Sequence, residues 1–252
     1  MKPRDQTNRS AKAAQRGEPS YVWRAGQERR LEMIRRWGGH ALRGKVLENG
    51  CGVGEYLERL AGEAALAVGM DIELERLLEA KEKNQNLVCA AGEHLPFQRN
   101  QFDAMLSSEV IEHVADDRAS VAEMARTLQV GGRLLLFCPN RWYPFETHGI
   151  YWKGQYRFGN IPLVNYLPRQ WRDRLAPHVR AYTGRALMDL VECQPLDIIW
   201  RTRVFGAYDN LMRKSPLFGK LLRGWLQFLE KTPLRVFGLS HFWVLQKSEF
   251  QE

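Results

Sequence analysis

The residues best suited to chemistry are an acid and three glycines at alternate positions, Glu48-x-Gly50-x-Gly52-x-Gly54. They follow an apolar stretch and precede apolar residues at helical spacing, so the pattern predicts a strand, a tight turn and a helix. Glycine is favoured where the backbone needs a positive φ or where a ligand comes close. The acid suits an amino or hydroxyl group better than a pyrophosphate, and the spacing differs from the G-x-G-x-x-G of dinucleotide-binding proteins.

Further candidate binding residues lie where later strands are predicted to end. In open α/β sheets, ligands bind at the carboxyl ends of the strands. The sequence therefore predicts that these residues share one site with the glycine-rich turn, which also contains Cys51. The residues at the ends of the second, third and fourth predicted strands are Asp71, Ile72, Gly92, Glu93, Ser107 and Ser108.

Residues 44–140 resemble the class I S-adenosylmethionine (SAM) dependent methyltransferases of the type 11 group, which includes the ubiquinone and menaquinone methyltransferases. The resemblance rests on the glycine-rich turn, on Asp71 at the expected interval, and on the segment that begins at Ser107-Ser108-Glu109. It implies that the turn and the two serines hold the methionine part of SAM and that Asp71 binds the ribose hydroxyls. It also implies that the loop at Gly92 and Glu93 lies beside the adenine. Ala91 stands where the family often has an aspartate, so backbone groups would supply the adenine contact there.

The same resemblance places Glu109 and His113 beside the acceptor, and Glu146 and His148 form a second acid and imidazole pair. Methyl transfer depends mainly on the orientation of donor and acceptor. An oxygen or nitrogen acceptor that carries a proton also benefits from a base, so we predict these four as candidate catalytic residues. Glu146-x-His148 offers only two metal ligands, too few for a typical site, and no metal site is predicted.

These residues require an α/β fold to bring them together. Predicted strands at 46–48, 64–70, 86–90, 102–107 and 133–138 alternate with helices, including one over 72–83 in which Leu74, Leu77 and Leu78 are expected to face inward. Such alternation predicts a parallel sheet with helices on both faces. Strands at 196–203 and 241–246 predict an antiparallel terminal hairpin. The expected fold is a doubly wound, seven-stranded, Rossmann-like sheet with an aromatic-rich insertion after the fifth strand.

We expect five regions along the chain. Residues 1–20 are polar, so we expect a disordered basic arm there. We expect residues 21–252 to form a single methyltransferase domain. Within that domain, 44–140 is the SAM-binding core, and 141–182, rich in aromatics and broken by four prolines, is a substrate-covering insertion. The C-terminal part, 183–252, includes an amphipathic helix over 214–231 with basic flanks. A single broad apolar face of that helix either packs on its own domain or lies at a membrane interface.

Charge and composition suggest the kind of partner. The chain carries a net charge of +8, divided into +7 over 1–43, −7 over 44–140 and +8 over 141–252. Basic flanks containing all eight tryptophans suggest an anionic membrane surface, a phosphorylated substrate or nucleic acid, although solvated basic faces are an alternative reading. The four cysteines are widely spaced and no segment approaches the ~18 apolar residues of a membrane span. We therefore expect a cytoplasmic protein, with peripheral membrane association as a further expectation.

The sequence thus predicts a SAM-dependent methyltransferase that acts at oxygen or carbon of a small-molecule or lipid-linked acceptor. Two alternatives stay open. The basic flanks favour an RNA methyltransferase, and the departure at Ala91 leaves room for a non-catalytic SAM-binding regulatory protein.

Overall fold

The computed structural model describes residues 23–206 and 215–249. The strands in chain order are β1 (Lys45–Asn49), β2 (Leu66–Asp71), β3 (Leu87–Cys89), β4 (Phe102–Ser108), β5 (Leu128–Pro139), β6 (Phe145–Glu146), β7 (Ile150–Trp152), β8 (Gln155–Arg157), β9 (Ile161–Pro162), β10 (Leu196–Val204) and β11 (Ser240–Lys247). The helices are α1 (Ala25–Gly38), α2 (Glu55–Ala61), α3 (Leu74–Ala80), α4 (Asp117–Thr127), α5 (Arg169–Leu175), α6 (Gly184–Val191) and α7 (Pro216–Leu229). Short 3-10 helices span Gly39–Arg43, Val164–Tyr166 and Pro233–Phe237.

Seven strands form the main sheet in the order β3-β2-β1-β4-β5-β11-β10. The first five run parallel, and β11 lies antiparallel to both β5 and β10. The order reverses between β1 and β4, which is where ligands bind in doubly wound sheets. The predicted α/β class, the sheet of seven strands and the antiparallel terminal pair are confirmed.

Two apolar cores cover the two faces of this sheet, because neighbouring strand residues point to opposite sides. Leu47 and Met105 pack on the face covered by α4 and α6. Val46 and Leu106 pack on the other face with Leu31 of α1. Both cores are built from strands whose carboxyl ends carry the predicted binding residues, so those ends are held rigidly.

The side chain of Asp116 caps α4, and two details of the predicted elements are wrong. Asp116 accepts from Ala119 N (3.0 Å) at the start of α4, which satisfies one of the unpaired donors there. In the two-turn helix α3, Leu77 is buried, but Leu74 and Leu78 are each 58% exposed because so short a helix on the sheet's flank turns only one side inward. The fifth strand begins at Leu128 rather than 133, since the two glycines at 131–132 form an irregularity within the strand.

The insertion and the C-terminal helix lie beside the sheet. Residues 141–182 follow β5 and contain two small antiparallel pairs, β6 with β9 and β7 with β8, together with α5. In α7 the predicted single apolar face is divided: Leu226 is buried, whereas Leu217, Leu221, Trp225 and Phe228 are 58–74% exposed. The predicted arm at 1–20 lies outside the described residues. None of the helices within the described ranges is long and apolar enough to cross a membrane.

Candidate cofactor and acceptor site

A cavity of about 1160 Å³ opens at the carboxyl ends of β1, β2, β3 and β4. Ligand pockets typically measure ~300–1,000 Å³, so this cavity has room for a cofactor together with an acceptor. Gly54, Ser107 and Glu146 are the three predicted site residues that do not line it. The predicted residues that do line it are Glu48, Gly50, Cys51, Gly52, Asp71, Ile72, Gly92, Glu93, Ser108, Glu109, His113 and His148.

The glycine-rich turn contains glycines because its backbone has positive φ values at three positions. Gly50, Gly52 and Gly54 have φ values of 78°, 53° and 78°, in the left-handed region that side chains disfavour. At Gly50 an added Cβ would lie only 2.3 Å from a methyl carbon of Val110. Gly54 has a structural role, since it precedes the first residue of α2 and packs against the helix that follows β2.

Asp71 ties the turn after β1 to the loop after β2. Its Oδ2 accepts from Gly52 N (2.8 Å), and its Oδ1 accepts from Glu73 N (2.9 Å). A carboxylate offers about four acceptor positions, so lone pairs are left for a ligand on the cavity side. The ribose role of Asp71 stays a prediction, and the structure adds a second role in holding the turn.

Glu48 lies buried at the end of β1 and lines the cavity. Within the part of the chain that the structure describes, its Oε2 has no hydrogen-bond partner. Burial, reinforced by the nearby charge of Asp71, raises the pKa of Glu48 well above its ordinary value. An unpaired buried carboxylate is costly, so this position favours a ligand that brings a donor or a positive charge.

The loop after β3 is fastened to the start of α4. Glu93 Oε1 accepts from Ala115 N (2.6 Å) and from Asp116 N (3.3 Å). Glu93 Oε1 is therefore used within the protein, and the backbone of the loop is available to a ligand. At Gly92 an added Cβ would lie 3.2 Å from Ser120 Oγ, which keeps this backbone close to the cavity wall.

In the part of the cavity lined by Glu109, His113 and His148, termed the acceptor end, Glu109 is held in an uncommon conformation. It follows β4 with a φ of 57°, and such left-handed non-glycine residues cluster at functional sites. Its carboxylate accepts from Arg30 of α1 (2.7 Å) and from Ser240 of β11 (2.8 Å). Burial alone would raise the pKa of Glu109, but the charge of Arg30 and the bond from Ser240 hold it below the ordinary value. Sequence reasoning missed Arg30 and Ser240.

Glu112, which the sequence prediction also missed as a site residue, lies beside two imidazoles. The ring centroids of His113 and His148 are 5.3 Å apart, and ligand atoms of these two residues and Glu112 all lie within 4.8 Å of one another. Burial and the nearby His148 lower the pKa of His113 to about 4, so this imidazole is neutral at physiological pH. Burial and the charge of Glu109 raise the pKa of Glu112 well above its ordinary value.

Glu146 lies behind His148 rather than in the cavity. Its Oε1 lies 3.2 Å from His148 Nδ1 and accepts from the His148 backbone N–H (3.0 Å). The buried Arg172 donates to Glu146 Oε2 (2.8 Å). Burial would raise the pKa of Glu146, but His148 and Arg172 lower it to about 2. The carboxylate is therefore charged and contacts the His148 imidazole, and its catalytic role stays a prediction.

Comparison with known proteins identifies the central part of the chain. Residues 47–136 match the family model described as a methyltransferase domain. A demethylmenaquinone methyltransferase of Corynebacterium urealyticum is 35% identical over 115 residues, which cover 46% of this chain and 47% of the relative. The ubiquinone/menaquinone biosynthesis C-methyltransferase UbiE of Haemophilus ducreyi is 35% identical over 103 residues, covering 36% of this chain and 40% of that one. The chain therefore contains a methyltransferase domain at residues 47–136.

Solved structures share the fold over a longer stretch than the methyltransferase domain itself. A SAM-dependent methyltransferase of Mesorhizobium loti aligns over 88% of this chain and 98% of its own, with a TM-score of 0.61 and 16% identity. The [4+2]-cyclase SpnF aligns over 98% of this chain and 93% of its own, with a TM-score of 0.58 and 16% identity. The shared fold therefore does not specify the reaction. The chain spans about half the length of the curated relatives it matches.

SAM is the cofactor that a methyltransferase domain implies, and the residues of the cavity fit it. SAM carries an ammonium group, and the unpaired buried Oε2 of Glu48 offers an acceptor for an N–H of that group. The left-handed turn at Gly50 and Gly52 removes the side chains that would block its approach. Asp71 would accept from the ribose hydroxyls with its remaining lone pairs.

Proposed function

We propose that the chain transfers the methyl group of SAM to a small acceptor carried on a lipid, such as a quinol or a lipid-linked sugar. The observation that carries this proposal is one cavity that contains both the glycine-rich turn with Glu48 and the polar side chains of Glu109, His113 and His148. The relatives named for demethylmenaquinone and ubiquinone methylation support a quinol-like acceptor.

The protein's part in this reaction is to orient SAM and the acceptor and to exclude water from the cavity. SAM, when bound, supplies a methyl group already activated on a sulfonium. Correct placement of reactants contributes ~7–11 kcal/mol in favourable cases. Arg30 of α1 crosses the acceptor end and joins Glu109 to Ser240, so this helix forms one wall of the cavity. The polar side chains at that end receive the acceptor's oxygen atoms.

A lipid-linked acceptor is supported by the outer face of α7. Leu217, Leu221, Trp225 and Phe228 recur at helical spacing and are all exposed. An apolar helix face of this kind with basic neighbours, here the exposed Lys220, is typical of helices that lie in a membrane interface. We therefore propose that this face contacts an anionic lipid surface.

The position of α7 would bring that surface to the cavity. Glu230, at the end of α7, forms a two-bond ion pair with Arg29 and accepts from Phe205 N (2.8 Å). Arg29 and Phe205 both line the cavity. A lipid surface on α7 would thus lie beside the acceptor end. We propose that this contact lies at the cytoplasmic side of a membrane, and the four free thiols support a reducing compartment.

Methyl-labelled SAM tests this proposal directly. Purified protein incubated with labelled SAM and a membrane lipid extract should place label in the solvent-extracted fraction. Glu48→Ala should abolish this labelling, and His40→Phe, at an exposed position away from the cavity, should keep it. Label in added RNA would instead favour the RNA alternative. Binding of SAM without label in any fraction would favour the non-catalytic alternative.

A further inference from the structure

Beside the acceptor end of the cavity, next to His113, lies a buried acid that the proposed function leaves unexplained. Glu112 is 1% exposed, and neither of its carboxylate oxygens has a hydrogen-bond partner among the described residues. The Nδ1 atom of His113 is likewise buried and unpartnered in the same set of residues. Burying polar atoms without partners is costly, so three such atoms in two adjacent residues indicate that a binding partner belongs there.

The chemistry of the surrounding atoms identifies that partner. Ligand atoms of Glu112, His113 and His148 lie within 4.8 Å of one another. Ligands of one ion lie about 2.0–2.2 Å from it and hence up to about 4.4 Å apart, so small side-chain rotations suffice to bring these three around a centre. Two imidazoles with one carboxylate form a donor set that divalent first-row transition metals favour.

We propose that Glu112, His113 and His148 bind a divalent metal ion at the acceptor end of the cavity. The carboxylate of Glu109, whose charge acts on both Glu112 and His148, lies beside this site and adds negative charge to it.

The residues behind the site support the assignment. An imidazole that binds a metal almost always donates its other ring N–H to a carboxylate or carbonyl, which sets its tautomer and direction. His148 Nδ1 faces Glu146 Oε1 at 3.2 Å, and Arg172 holds Glu146 in place. The Nε2 atom of His148 is thereby left to bind the metal. Arg172 fixes Glu146, and Glu146 fixes the His148 ring, so a role for His148 as a ligand accounts for this buried ion pair.

The inference deepens the proposed function and rests on it for the substrate class. Three protein ligands leave open positions on the metal, which suit two neighbouring oxygen atoms such as those of a catechol or a vicinal diol. Binding to a cation lowers the pKa of a hydroxyl, so its proton is released to water more readily. The site therefore favours an acceptor that is methylated at oxygen.

Titration of the metal-free protein with Mn²⁺ tests the site without any acceptor. The loss of the free Mn²⁺ signal in electron paramagnetic resonance should show one ion bound per chain. Glu112→Gln and His148→Phe should each weaken this binding by at least about 10-fold. His40→Phe, a matched change at an exposed histidine, should bind Mn²⁺ as the wild type does.

Thermal unfolding separates a lost site from a misfolded protein. Glu112→Gln keeps the shape of the side chain and removes the buried charge, so without metal its melting temperature should equal or exceed that of the wild type. Saturating Mn²⁺ should raise the melting temperature of the wild type and not that of the variant.

Two results would overturn the proposal. One is the absence of stoichiometric binding of Mn²⁺, Zn²⁺ and Mg²⁺ to the wild type, in which case a protonated Glu112 that shares its proton with Glu109 explains the buried acid. The other is metal binding that neither substitution weakens. Because the titration uses no lipid and no SAM, its failure would leave the labelling test of the proposed function unaffected.

Discussion

Replacing Leu221 and Trp225 together by serine should detach the protein from anionic vesicles while leaving its fold intact. These side chains are 65% and 58% exposed, so about six-tenths of each is available to lipid. Full burial of a large apolar side chain contributes about 1.5–3 kcal/mol. Six-tenths of that is about 1–2 kcal/mol for each residue and about 2–4 kcal/mol for the pair. The partition coefficient onto vesicles should therefore fall by about 30- to 700-fold.

Vesicle flotation measures this change directly. Wild type and variant are mixed with vesicles that contain anionic phospholipid, and the bound fraction is measured against lipid concentration. Leu78→Ser is the matched control, because Leu78 is 58% exposed on α3, on the flank of the sheet. It should leave the partition coefficient unchanged. Because all three positions are exposed, the free energy of unfolding should change by no more than about 0.5 kcal/mol per site.

Two outcomes would refute this reasoning. A wild-type protein that does not float with anionic vesicles would show that α7 has no lipid partner of this kind. Flotation that persists in the double variant would show that another surface binds the lipid. High salt should weaken the binding only in part, because screening affects the basic residues and leaves apolar burial in place.

Three other predictions address the cofactor end, the positioning residues and the RNA alternative. Asp71→Ala should weaken SAM binding by about 10- to 100-fold in calorimetry, since charged hydrogen bonds are lost, and unchanged affinity would disprove the ribose role. Arg172→Met should lower the free energy of unfolding in urea by about 3–5 kcal/mol, because it leaves the buried charge of Glu146 without its partner, and a loss below 1 kcal/mol would show that Glu146 does not need it. RNA binding, measured against salt, should be weak with a shallow log–log slope, and a slope steeper than about −5, equivalent to more than five phosphate contacts, would favour the RNA alternative.

The cofactor end could be predicted because its signals are local. The glycines with φ near 78° and the acid at the end of the strand all lie within nine residues, from 46 to 54, so the sequence of that segment alone identifies them. The order of the strands then brings Glu48 and Asp71 to the same edge, since parallel strands end together. Nine of the eleven predicted cofactor-binding residues line the cavity for this reason.

The acceptor end could be predicted only in part because its contacts join distant segments. The bond from Arg30 to Glu109 spans 79 positions, and the bond from Ser240 to Glu109 spans 131. Arg30 shows no feature in the sequence that separates it from the other arginines of α1. Glu112 resembles any acid beside a histidine until its burial and its unpaired oxygens are seen.

The outer face of α7 shows a different limit of sequence reasoning. Leu222 and Leu226 face the protein, whereas Leu217, Leu221 and Trp225 face outward, so apolar residues surround much of the helix. Periodicity identifies an amphipathic helix by contrast between its faces, and here the contrast is small. The spacing of these residues therefore predicted one broad face where the structure has two.

The two ends of the cavity differ in how they are built, and this difference indicates where acceptor choice resides. The cofactor end consists of turns and strand ends from one continuous segment, which is also the segment that matches the methyltransferase family at 47–136. The acceptor end combines α1, the residues after β4, the insertion at 141–182 and β11. His148 is held by Glu146 and Arg172, which both lie in the insertion. A change in the insertion can therefore move the acceptor-facing imidazole while the strand ends that hold SAM stay in place. We therefore expect acceptor specificity to depend on the insertion as well as on the residues after β4.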